Sequence, residues 1–72
     1  MGSVLIKNNT RDIIHVRVTA AAEQGHQGFF DIQPGQTEAW GRKNWEVAFA
    51  LRDDNSQTET FVVAPDKAYT VG

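Results

Sequence analysis

Hydrophobic and polar residues alternate with a period of two along most of the chain, and no stretch repeats apolar residues at helical spacing. Such alternation turns successive side chains to opposite faces of a strand, one toward a core and one toward water. Val4 and Ile6 share one face of a first strand, about Ser3 to Asn8. Asn8-Asn9-Thr10-Arg11-Asp12 reads as a turn, because Asn and Asp bond to nearby backbone and tolerate left-handed conformations. A second strand places Ile14, Val16 and Val18 inward and His15, Arg17 and Thr19 outward. Ala20 to Gln24 has helix-forming residues, but Gly25 and Gly28 cut it to a loop. Phe30 and Ile32 form the inward face of a third strand, with Phe29 turned away.

Pro34-Gly35 is the residue pair of a type II turn, after which the chain returns through Thr37 to Gly41. The strongest strand follows, with Trp45, Val47, Phe49 and Leu51 on one face, predicted to be core. Arg52 to Ser56 is a polar loop; Phe61 and Val63 then point inward, Pro65-Asp66 turns, and Tyr69 and Val71 close the sheet. A shift of 31 positions lays Arg11 on Arg42, Phe30 on Phe61, Ile32 on Val63 and Pro34 on Pro65. It also lays Ile14, Val16 and Val18 on Trp45, Val47 and Phe49. Either a duplication or the self-similarity of any regular meander produces that match. Both give one all-β domain over residues 1–72: a strand at 3–8, then two meander units at about 11–41 and 42–72. The expected fold is a small antiparallel sandwich or barrel of about six to seven short strands.

Composition narrows the function. Seventy-two residues bury only about 60% of their unfolded surface, so a β-domain of this size is expected to associate with copies of itself. The absence of cysteine removes disulfides and thiolate metal sites. A net charge of −2, with no basic cluster longer than Arg42-Lys43, argues against a nucleic-acid partner. The longest apolar run, Val47 to Leu51, is too short to span a membrane. With no apolar segment behind a basic start, the chain reads as cytoplasmic, or as released without a visible signal peptide.

Candidate chemistry is sparse. His15 and His26 lie far apart, and no catalytic triad or HExxH spacing is present, so no enzyme, cofactor or metal is expected. Asp53, Asp54 and Asn55 offer adjacent oxygen ligands without the spacing of a calcium loop, and the same residues suit a turn. Asn8-Asn9-Thr10 matches the glycosylation triplet. The segment Trp40-Gly41-Arg42-Lys43-Asn44-Trp45 is the most informative. An indole beside the donors of Arg42 and Asn44 suits a sugar, whose C–H face stacks on the ring while its hydroxyls take hydrogen bonds. The face it shares with Val47 puts Trp45 in the core; Trp40, at a strand end, suits either core or surface. The loops at His26-Gln27 and Asp53-Asp54-Asn55 are further candidate ligand-binding positions, and Phe29 beside Trp40 would form an interface patch.

In the style of Val4-Leu5-Ile6-Lys7-Asn8-Asn9-Thr10, the Pro34-Gly35 turn into Trp40, and Trp45-Glu46-Val47-Ala48-Phe49, the chain resembles the small β-sandwich proteins of mushroom fruiting bodies. That group includes fungal lectins and actinoporin-like pore formers. The resemblance implies a defence or storage role through glycan binding, multiplied by oligomerisation, and transfers no binding residue. The chain is shorter than those proteins and lacks the pore formers' amphipathic N-terminal helix. Two functions are thus expected to compete. One is a multivalent, lectin-like module with glycans as partners. The other is a non-enzymatic interaction or structural module whose exposed aromatics form a subunit or partner interface.

Overall fold

The computed structural model of the chain describes residues 2–20, 28–52 and 57–72. In chain order its strands are β1 (Gly2–Asn8), β2 (Ile14–Val18), β3 (Phe30–Ile32), β4 (Thr37–Arg42), β5 (Glu46–Arg52), β6 (Gln57–Val63) and β7 (Lys67–Val71). A three-stranded sheet runs β4-β1-β7 and a four-stranded sheet runs β3-β2-β5-β6. No helix occurs among the described residues, and the all-β class expected from the alternation holds. All neighbouring strands are antiparallel except β1 and β7, which run parallel.

The core lies between the sheets. From the three-stranded sheet come Val4, Ile6, Trp40 and Val71; from the four-stranded sheet come Ile14, Val16, Val18, Ile32, Ala48, Ala50 and Val63. Each fully buried Val or Ile contributes roughly 1.5–3 kcal/mol of hydrophobic stabilisation. The alternation in β1 is complete, with every second residue from Gly2 to Asn8 buried. A Cβ on Gly2 would lie 2.2 Å from the Cβ of Pro65, so only glycine fits where the start of β1 meets that turn.

Two expectations need correction. The units are not three-stranded meanders, because β3 and β4 belong to different sheets, as do β6 and β7. Each Pro turn is a corner where the chain changes sheet, and each is tied to β1. Gly35 donates its N–H to the Asn8 carbonyl at 2.8 Å, and Asp66 donates to the Ser3 carbonyl at 2.9 Å, at opposite ends of β1. Both donors have positive φ, 80° for Gly35 and 64° for Asp66, as the third position of a type II turn demands.

The second correction concerns β5. Trp45 is exposed and Leu51 faces outward, whereas Ala48 and Ala50 are fully buried. Register explains it: Val16 pairs with Ala50 and Val18 with Ala48, and paired residues share a face. The inward match of Ile14, Val16 and Val18 with Trp45, Val47 and Phe49 therefore does not hold. Large side chains on the inner face of β5, beside Val16 and Val18, would overfill the space between the sheets. Phe30 keeps its inward assignment, paired with the buried Val16 and set against Trp40, but on the edge strand β3 it is 45% exposed while Ile32 is fully buried.

Asn8 closes one end of the sandwich. Fully buried, it donates through Nδ2 to the carbonyls of Asp12 and Ile32, both at 2.8 Å. Its Oδ1 accepts from the Thr10 N–H at 2.8 Å, with the Thr10 hydroxyl 2.7 Å away. The glycosylation triplet is thus a structural knot: in the folded chain its amide nitrogen is closed to modification.

Candidate functional site

The segment from residue 40 to 45 does not form the sugar platform its composition suggests. Trp40 pairs in register with Val4 and so faces the core, where it is 3% exposed. Its ring meets Phe30 edge-on, centroids 6.2 Å apart, and its Nε1–H has no partner among the described residues. Arg42 is equally buried. Its Nε donates to the Thr19 carbonyl and its Nη2 to the Val18 carbonyl, both at 2.9 Å, and Nη1 reaches the Gly41 carbonyl at 2.7 Å. That planar fork clips β4 in one sheet to the end of β2 in the other, a task suited to guanidinium geometry. Asn44 and Lys43 are exposed, and Trp45 beside them is 76% exposed. Trp45, expected in the core, is thus exposed, and of the two positions open to Trp40 the structure takes the core.

His26, Gln27, Asp53, Asp54 and Asn55 lie outside the described residues. Phe29 is exposed, as expected, but it makes no patch with Trp40, which is inside. On the outer face of the four-stranded sheet, His15 Nδ1 lies 2.6 Å from Asp31 Oδ1, across a register pair of β2 and β3. No group of three metal-ligating side chains occurs among the described residues. No helix there is long and apolar enough to cross a membrane.

A cleft that sequence reasoning missed opens between β6 and β7, the edge strands of the two sheets. Its volume is about 390 Å³ and it is lined by Glu59, Thr60, Phe61, Tyr69 and Thr70. Phe61 and Tyr69, four residues before and four after Pro65, tilt against each other with ring centroids 5.8 Å apart. The Tyr69 hydroxyl accepts the Ala64 N–H at 2.8 Å, which fixes the ring and leaves its own O–H as a donor. Glu59 is held by Arg52, Nη1 to Oε2 at 2.6 Å, so one carboxylate oxygen is anchored while the other remains an acceptor. The cleft therefore combines two aromatic rings, the Tyr69 hydroxyl and an oriented carboxylate, with Thr60 and Thr70 at its edges.

The opposite mouth of the sandwich, between β3 and β4, has Phe30 where this one has Phe61, but it has Trp40 where this one has Val71. Trp40 fills its mouth against Phe30; at the other mouth Phe61 meets Tyr69 and the cleft lies beside them. The aromatic residues of the cleft were legible as strand residues, but their meeting depends on strand order, which no spacing encodes.

The outer face of the four-stranded sheet is apolar along β5 and β6. Trp45 and Leu51 are exposed there, and Val62, the register partner of Val47, is 57% exposed. Arg17 covers Phe49, its guanidinium carbon 5.2 Å from the ring centroid.

The fold and cleft define a small two-sheet β-domain with an aromatic, hydroxyl-lined mouth. No family model, curated protein or solved structure matches the chain.

Proposed function

We propose that the chain is a carbohydrate-binding, lectin-like module that gains strength by multivalency. The observation that supports this reading is the cleft between β6 and β7. A pyranose presents a flat C–H face and a rim of hydroxyls. Phe61 and Tyr69 offer apolar ring surface to that face. The Tyr69 hydroxyl, with Thr70 at the edge of the cleft, can exchange hydrogen bonds with the rim, and the Glu59 oxygen not held by Arg52 can accept from adjacent sugar hydroxyls. A shallow, partly solvated site of this kind binds one sugar weakly, so repeated sites are what make such a module effective. The defence role implied by the resemblance to fruiting-body proteins belongs to the same reading.

The test is a glycan array probed with labelled protein alongside Glu59→Gln and Thr70→Ala variants. The reading expects signals confined to glycans that share a terminal sugar, weakened roughly tenfold or more in Glu59→Gln, since a hydrogen bond to a charged group is worth about 1.5–3 kcal/mol, and roughly two- to tenfold in Thr70→Ala, which loses a neutral one. Signals untouched by both variants would place glycan binding outside the cleft, and a blank array would move the aromatic surface to the competing reading of a protein-interaction module. The exposure of Trp45 and Val62 favours that second reading.

A further inference from the structure

The four edge strands of the sandwich differ in how they are protected. β3 has three residues, and β7 opens with an exposed Lys67. β4 carries an exposed Glu38 and a glycine, Gly41. Short length, edge lysine and charge are the devices that keep edge strands from pairing with other chains. β6 is the least protected of the four. It runs seven residues as QTETFVV, with no Pro, Gly or Lys and with four β-branched residues, Thr58, Thr60, Val62 and Val63. Its single charged side chain, Glu59, is neutralised within the chain by Arg52. Its outer face carries Val62, 57% exposed, and Trp45 stands one residue before Glu46, the register partner of Val63.

We propose that β6 pairs antiparallel with β6 of a second copy, joining two four-stranded sheets into one of eight strands. The strand is complementary to itself. A two-fold axis at Thr60, the middle residue of β6, keeps the full seven-residue overlap. It sets Thr60 against its own copy, Thr58 against Val62, and Glu59 against Phe61, so no like charges meet. The methyl groups of Thr58 and Thr60 then cover Val62 of the other copy. Because a two-fold axis normal to a sheet keeps both inner faces on one side, the clefts of the two copies open toward each other across β6. This surface supplies the multivalency that the glycan reading invokes and rests on that reading only for its purpose; the pairing itself is argued from the edge.

Sedimentation equilibrium of the full chain, from micromolar concentration upward, tests it with Thr60→Lys and Val62→Lys as edge variants and Thr70→Lys on β7 as control. The expected mass for the wild type and for Thr70→Lys is twice 8.0 kDa. Thr60→Lys sets two like charges face to face and is expected to weaken the dimer by roughly tenfold or more. Val62→Lys is expected to act in the same direction, and circular dichroism of both variants should match the wild type. A wild type of one chain's mass, an indefinite aggregate, or a dimer that neither edge variant loosens overturns the proposal. A monomer that still binds glycans defeats the pairing alone; a β6-dependent dimer with a blank glycan array defeats the glycan reading alone.

Discussion

Asn8 shows how much one polar residue can organise in a domain of this size. Its amide ties the end of β1 to the carbonyls of Asp12 and Ile32 and to the Thr10 amide, while its backbone carbonyl receives Gly35. A buried amide with every group partnered is stabilising, and its loss leaves buried carbonyls without donors. Asn8→Ala should therefore cost about 3–5 kcal/mol, measured by urea unfolding. Asn8→Asp should cost at least as much, because it sets a carboxylate oxygen against the two carbonyls that now receive N–H donors. A loss below about 1 kcal/mol for Asn8→Ala, the size of a surface substitution, would show that the knot is dispensable. Arg42 works in the same manner between the sheets, which is why a residue with the chemistry of a sugar donor is occupied by three backbone carbonyls.

At the scale of elements, the two Pro corners do the same work with different residues. Each places a positive-φ residue at its third position, glycine at one corner and aspartate at the other. Left-handed backbone costs an L-residue roughly 1–2 kcal/mol, less for Asp than for most. Asp66→Gly should thus be neutral or stabilising by up to about 1 kcal/mol, and Gly35→Val should destabilise by about 1–2 kcal/mol, both read from thermal unfolding. No atom lies within 4 Å of a Cβ built on Gly35, so a loss there would come from backbone strain and not from a clash. The corners themselves were legible from Pro-Gly and Pro-Asp, and the strands from their alternation, with the inner faces of β1 and β2 read correctly. β5 was not, because it is apolar on both faces: Ala48 and Ala50 on one side, and Trp45, Val47, Phe49 and Leu51 flanking them on the other. Side-chain size favours the second set as core, and only register with β2 reverses the choice. That reversal also left Trp45 outside, while Trp40 reached the core through its register with Val4.

At the scale of the molecule, the seven strands of the described residues form a sandwich with two mouths, one plugged by Trp40 and one open beside Phe61 and Tyr69. Which strands would border a mouth could not be read from the sequence, since the partition of strands between sheets is a long-range property. The candidate site accordingly moved from the polar stretch between the tryptophans to Glu59, Thr60, Phe61, Tyr69 and Thr70, residues that looked like ordinary strand positions. The most direct measurement is an amide and indole NMR titration of the protein with a panel of free monosaccharides. Glycan binding at the open mouth should shift the signals of Glu59 to Phe61 and of Tyr69 and Thr70, in fast exchange, while the Trp40 indole stays still. Saturating sugar that moves none of these signals, or moves only the Trp45 indole and its neighbours, would contradict a binding site between β6 and β7.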